Sequence, residues 1–171
     1  MALIVFAGAA LADGPQDNIE TTVRRVPPPG IEPPTADEQE LQGGVEILGK
    51  EIAALRTALH KKPAQLELLP DVQIYYNAVR YALKYAEFYS PGEVKMARKF
   101  LQQGHERANQ LRQGKAPWTQ ATGLVVRGYV SKIDGSVQPY GLVVPASWRP
   151  GSAVRHRLDV WYHGRGEKLS E

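Results

Sequence analysis

The sequence predicts an α+β fold, because the spacing of its apolar residues changes once along the chain. From residue 37 to about residue 116 the apolar residues recur every three or four positions, which is the period of an amphipathic helix. From residue 117 they alternate with polar residues, which is the period of a half-buried strand. Of the 171 residues, 43% are hydrophobic and 23% are charged. These fractions are typical of a folded chain and exclude wholesale disorder.

The first residues resemble an export signal. An apolar run extends from Ala2 to Ala12, which is too short to span a bilayer, since a spanning helix needs about 20 residues. Small residues close the run at the positions that a signal peptidase reads, although no basic residue precedes it. We therefore expect a signal peptide over residues 1–12, no stable membrane span, and export to the periplasm or the cell exterior. A buried N-terminal strand is the alternative.

Residues 13–36 are polar and rich in proline. Proline fixes φ and removes a backbone donor, so neither a helix nor a central strand suits this stretch. It is predicted to be an extended linker or a strap that lies on the folded body.

Residues 37–116 are predicted to form three helices. Thr35 or Asp37 is a candidate cap for the first helix and Pro63 its end, while Pro70 and Asp71 open the second. Ser90 and Pro91 supply a cap and a first helical residue for the third helix. The residues expected on the three buried faces are Leu41, Val45, Leu48, Ile52, Leu55 and Leu59 in the first, Val72, Tyr75, Tyr76, Val79, Leu83 and Ala86 in the second, and Val94, Ala97, Leu101, Gly104, Ala108 and Leu111 in the third.

Residues 117–171 are predicted to form three strands. Two β-rich runs, Gly123–Ser131 and Gln138–Pro145, flank an Asp134-Gly135 pair, which is a hairpin signal. A third alternating run, His156–His163, leads into a glycine-containing turn at residues 163–166.

Composition excludes several classes of site. The sequence has no cysteine, which rules out disulfides, thiolate catalysis and cysteine-ligated zinc. The four histidines show no metal-binding spacing, no cofactor fingerprint is present, and we expect neither a metal nor a cofactor. The net charge is +3, and the densest basic cluster, residues 155–157, is too short for a nucleic-acid interface.

The segment "GYVSKIDGSVQPYGLVVPASWRPG…HRLDVWYHGRGE" resembles the opening of the α/β-hydrolase fold. It is most similar to secreted bacterial relatives of the prolyl-oligopeptidase (S9) and esterase group, over residues 123 to about 167. The resemblance implies that this chain carries the first three strands of that domain and is the N-terminal part of a longer protein.

In that fold the loop after the third strand supplies a backbone N–H group of the oxyanion hole. The resemblance places His163, Gly164, Arg165 and Gly166 in this loop, with the N–H groups of Gly164 and Arg165 as candidate donors. Arg165 departs from the lipase-type motif, which has glycine there. No G-x-S-x-G nucleophile elbow occurs in the sequence, so the chain offers no catalytic nucleophile or triad of its own.

The function expected from the resemblance is that of a secreted serine hydrolase acting on an ester or peptide bond. Its partner within the same protein would be the C-terminal catalytic portion, and residues 1–171 alone should not hydrolyse a substrate. A second hypothesis is a non-catalytic helical and β module that binds a partner protein or a polysaccharide.

Overall fold

A computed structural model describes residues 30–162, and the other residues of the chain are not described. The secondary structure is mixed, as the sequence predicts. In chain order the elements are α1 (Thr35–Ala58), α2 (Pro63–Leu66), α3 (Pro70–Tyr85), α4 (Pro91–Arg112), a 3-10 turn at Pro117–Gln120, β1 (Gly123–Val130) and β2 (Val137–Val144).

The three long helices pack on one another and form a single apolar core. All six residues expected on the inner face of α4 are buried, and five of the six expected in α1 are buried, with Val45 partly buried. In α3 the prediction fails at Ala86, which is exposed. The helix ends at Tyr85, and Ala86 adopts a left-handed conformation with φ of 54°. The helical period therefore does not extend to Ala86.

The predicted cap of α1 is wrong, whereas Ser90 and Pro91 occupy the predicted cap and first positions of α4 without a side-chain capping bond. Helix α1 begins at Thr35 with Pro34 in the cap position, and no side chain caps it. Ser90 does precede α4, but its hydroxyl bonds to the Glu93 side chain rather than to the helix backbone. The Glu93 carboxylate instead accepts a hydrogen bond from the backbone N–H of Tyr89 at 2.7 Å. An acidic residue of the first turn of α4 therefore holds the backbone that precedes the helix.

The end of the predicted linker lies on the folded body. The N–H of Ile31 donates to the carbonyl of Phe88, and a Cβ at Gly30 would stand 1.9 Å from the carbonyl oxygen of Ala86. Only glycine permits so close an approach of two backbones. Gly30 and Ile31 thus lie against the loop that joins α3 to α4.

The hairpin forms where the sequence predicts it. Strands β1 and β2 pair antiparallel, with Gly123 opposite Val144 and Val130 opposite Val137. Gly135 has a φ of 72°, and its N–H donates to the carbonyl of Ser131 within the connecting turn.

The predicted third strand is not confirmed. Residues 153–162 have no regular secondary structure, and their side chains are exposed. A strand needs a neighbour for its backbone hydrogen bonds, and in the part of the chain that the structure describes the sheet consists of β1 and β2 alone. Among residues 30–162, no helix combines the length and the apolar character needed to cross a membrane.

Candidate functional site

The turn predicted to serve as an oxyanion loop, His163 to Gly166, lies outside the described residues. The predicted signal peptide also lies outside them. The structure therefore leaves the oxyanion assignment as a prediction, and it places the residues leading to the turn, 156–162, on the surface.

The described residues instead bring together one buried polar network that joins the helices to the hairpin. Its centre is Asp71, whose carboxylate is 1% exposed. It accepts hydrogen bonds from the Trp118 indole N–H at 2.8 Å, from Nε of Arg127 at 2.9 Å and from the backbone N–H of Gly128 at 2.7 Å. We call these four residues the Asp71 network.

Local structure explains how each member reaches this point. Asp71 follows the proline that begins α3, so its carboxylate lies at the N-terminus of the helix, where negative charge is favoured. Trp118 is buried in the 3-10 turn after α4. Arg127 and Gly128 are neighbours on β1, so one donates through its side chain and the other through its backbone.

Gly128 is required by close packing rather than by an unusual φ. A Cβ at this position would lie 2.3 Å from the carbonyl oxygen of Pro70 and 2.8 Å from Cγ2 of Ile74. Both distances are shorter than any real contact. The absence of a side chain at Gly128 thus allows the start of α3 to pack directly against β1.

The N–H of Gly128 also shows that the start of α3 lies along the free flank of β1, the flank that faces away from β2. In an antiparallel pair, alternate residues direct their N–H groups toward the partner strand and away from it. Gly128 donates to Asp71, so its N–H points away from β2. Its register partner is Pro139, which has no N–H to donate, and a proline is tolerated where no ladder bond is needed.

A second cationic group lies beside the network. The guanidinium carbon of Arg107 lies 5.0 Å from the ring centroids of both Tyr75 and Trp118, and its Nη1 donates to the backbone carbonyl of Asp71 at 3.0 Å. Burial lowers the pKa of Arg107 from its ordinary value, because desolvation outweighs the opposing effects of Tyr75 and Asp71. Burial likewise raises the pKa of the Tyr75 hydroxyl.

Two shallow depressions adjoin this cluster. One, of about 220 Å³, is lined by Tyr75, Gln103, Glu106, Arg107, Gln110, Pro117 and Trp118. The other, of about 470 Å³, is lined by Gln110, Gln113, Lys115, Ala116, Pro117 and Gln120. They share Gln110 and Pro117, so together they form one open surface along α4 and the 3-10 turn.

The hairpin carries an exposed apolar surface. Leu124 is 77% exposed and its cross-strand partner Val143 is 82% exposed. Paired residues lie on the same face of a sheet, so these two side chains form a continuous apolar patch. The following segment adds further exposed apolar residues, namely Val154, Leu158, Val160, Trp161 and Tyr162.

Neither a serine–histidine pair nor a group of metal-ligating side chains is found among residues 30–162. No serine hydroxyl there hydrogen-bonds to a histidine ring, and no group of three or more potential metal-ligating side chains occurs in that range. His105 is half-buried and contacts Glu51 at 2.8 Å, with Arg112 on the same carboxylate. This group links α1 to α4.

Sequence reasoning identified Asp71 as part of the opening of a helix and missed its role as a buried acceptor. One signal was present: an acidic residue stands one position before Val72 and four before Tyr75, on the apolar face of α3. A carboxylate on a buried face requires donors. The identity of those donors could not be read from the local sequence.

Comparisons of the chain with protein-family profiles, with curated proteins and with solved structures found no match.

Proposed function

We propose that this chain is the N-terminal part of a secreted serine hydrolase that cleaves an ester or peptide bond through an acyl-enzyme. The helical region would stand beside the catalytic domain as a wall or lid. The residues after the hairpin would supply the oxyanion loop, and the nucleophile and the rest of the triad would come from sequence that follows the resembling segment.

The observation that supports this proposal is the hairpin. It lies in the segment that resembles the hydrolase group, and its strands have nearly the predicted bounds. The exposed patch of Leu124 and Val143 is the kind of surface that a larger domain would bury, because exposed contiguous apolar surface usually marks an interface.

In the proposed mechanism the N–H groups of Gly164 and Arg165 would face the oxygen that becomes negative in the tetrahedral intermediate. Such preorganised donors contribute about 3 kcal/mol to the stability of a transition state. His163 would end the strand that leads to them, and Gly166 would complete the turn. The Arg165 guanidinium would lie near a substrate carbonyl or carboxylate.

The first experiment compares the parent protein with residues 1–171. The coding sequence after Glu171 should continue in frame and encode a G-x-S-x-G elbow and a later histidine. The parent protein should react with a fluorophosphonate probe, whereas residues 1–171 should remain unlabelled. Labelling of residues 1–171, or a parent protein that lacks the elbow, would contradict the proposal.

A second experiment tests the oxyanion loop in the parent protein. Arg165→Pro removes one candidate N–H donor and should lower kcat by about 10²–10³-fold. Arg165→Ala keeps the N–H and serves as the matched control, so its kcat should fall far less. Equal activity of the two variants would show that the N–H of residue 165 is not a donor.

The exposed apolar patch also favours a second candidate, a non-catalytic module that binds a partner protein or a polysaccharide. A stop codon directly after Glu171 would favour this candidate. The substitution Leu124→Lys should then abolish capture of the partner while leaving the circular dichroism spectrum unchanged.

A further inference from the structure

The structure describes three half-buried arginines, Arg98, Arg107 and Arg127, and two of them pair with a carboxylate. Arg98 contacts Asp37 and Glu40. Arg127 contacts Asp71.

Arg107 differs from these two. Among residues 30–162 no acidic side chain lies within ion-pair distance of its guanidinium. Its protein partners there are one backbone carbonyl and the two aromatic rings. A guanidinium has five N–H donors, and the single bond to the Asp71 carbonyl uses one of them. Buried or partly buried charges are normally paired.

The surroundings of Arg107 suit a carboxylate. The guanidinium lines the depression of about 220 Å³ together with Gln103 and Gln110, whose side chains can donate hydrogen bonds through their amide groups. Lys115 lines the adjoining depression and adds positive charge. The planar fork of arginine matches the two oxygens of a carboxylate.

Glu106 limits the charge of the ligand. It lines the same depression, and its carboxylate accepts a hydrogen bond from Gln110 at 3.1 Å. Its negative charge repels a dianion about twice as strongly as a monoanion, which disfavours a phosphate dianion relative to a monoanionic carboxylate.

We propose that Arg107, between the rings of Tyr75 and Trp118, is a binding site for a carboxylate group, either of a peptide or of a small organic acid. The site does not depend on the hydrolase proposal, because every residue that forms it lies between the start of α3 and the end of the 3-10 turn, before the hairpin begins.

The test uses residues 1–171 and follows the indole N–H signals of the three tryptophans by NMR. The probes are N-acetyl-alanyl-alanine with a free carboxylate, the same dipeptide as its amide, acetate and inorganic phosphate. The carboxylate dipeptide should shift the signal of Trp118 in a saturable manner, and its amide should not. The signals of Trp148 and Trp161, which lie away from α4 in sequence, serve as internal controls.

Three variants complete the test. Arg107→Gln should weaken binding by about tenfold or more, since a charge-assisted hydrogen bond is lost. Gln103→Glu places a carboxylate four residues from Arg107 on the same helix face. It should weaken binding to a similar extent, and because Gln103 is exposed, this variant keeps the test valid even if Arg107→Gln does not fold. Arg80→Gln removes an exposed arginine that stacks on Tyr76 and Tyr81 and should bind normally.

Binding of acetate and of the dipeptide would both support the site, and their relative affinities would distinguish a small acid from a peptide ligand. Equal shifts with the dipeptide amide, tighter binding of phosphate than of acetate, or full binding by Gln103→Glu would overturn the proposal.

Discussion

Replacing Asp71 by asparagine should destabilise the chain more than any other single removal of a charge among the described residues. The substitution keeps the shape of the side chain but removes the negative charge that faces Arg127. It also replaces one acceptor oxygen by an NH₂ group, which is a donor. This NH₂ group must face at least one of the N–H groups that now donate to Asp71.

The magnitude follows from burial. Breaking a buried ion pair by removing one partner costs about 3–5 kcal/mol. The Asp71 side chain is 1% exposed, but Arg127 is 20% exposed, so water can solvate part of the guanidinium that is left unpaired. We therefore expect a loss of about 3 kcal/mol in the free energy of unfolding, at the lower end of that range.

The assay is urea denaturation of residues 1–171, followed by circular dichroism and tryptophan fluorescence. Asp37→Asn is the matched control. It removes a carboxylate from Arg98 in a pair whose side chains are both about a third exposed, and it should cost much less. The double variant Asp71→Asn with Arg127→Ala should be more stable than the sum of the single losses predicts, because the two groups interact directly. Additive losses, or equal losses for Asp71→Asn and Asp37→Asn, would refute the reasoning.

Three further predictions concern glycines and the hairpin turn. Gly128→Ala should cost about 2 kcal/mol or more, since its Cβ would meet the backbone at the start of α3. Gly141→Ala, where nothing lies within 4 Å, should change stability little in the same denaturation assay. Gly43→Ala should raise the free energy of unfolding by about 1 kcal/mol, because the position is helical and has room for a methyl group. A lower free energy of unfolding for this variant would contradict the prediction. Hydrogen bonds from Ser136 lower the pKa of Asp134 from 3.8 to about 2. The ionised carboxylate therefore stabilises the turn above pH 3.8, and this stabilisation should be lost as the pH falls toward 2. An NMR titration of the Ser136 amide with a midpoint near 3.8 would contradict this.

The helices could be predicted well because the information is local. Each turn of α4 places an apolar residue on the same face, and all six predicted residues, from Val94 to Leu111, are buried. The spacing of the apolar residues could not show at which residue a helix ends. At Ala86 the apolar pattern continues, but the backbone has already turned into the left-handed region.

The Asp71 network could not be predicted because its contacts are distant in sequence. The donors to Asp71 are 47, 56 and 57 residues away from it. No periodicity within α3 specifies which residue of the hairpin will meet the carboxylate. The alternating pattern at residues 156–162 likewise predicted a strand. A strand also requires a neighbouring strand to pair with, and the pattern carries no information about that neighbour.

The contact between Asp71 and the backbone of Gly128 has a consequence for how this two-stranded sheet can be enlarged. The Asp71 carboxylate accepts the hydrogen bond of an N–H group that a strand pairing with β1 would need. The start of α3 also fills the space beside Gly128. Lateral growth is therefore directional: a new strand is obstructed on the flank of β1 and is admitted on the flank of β2. There the incoming strand would meet Pro139, and the missing donor at that position would disfavour any alignment that requires a bond from it.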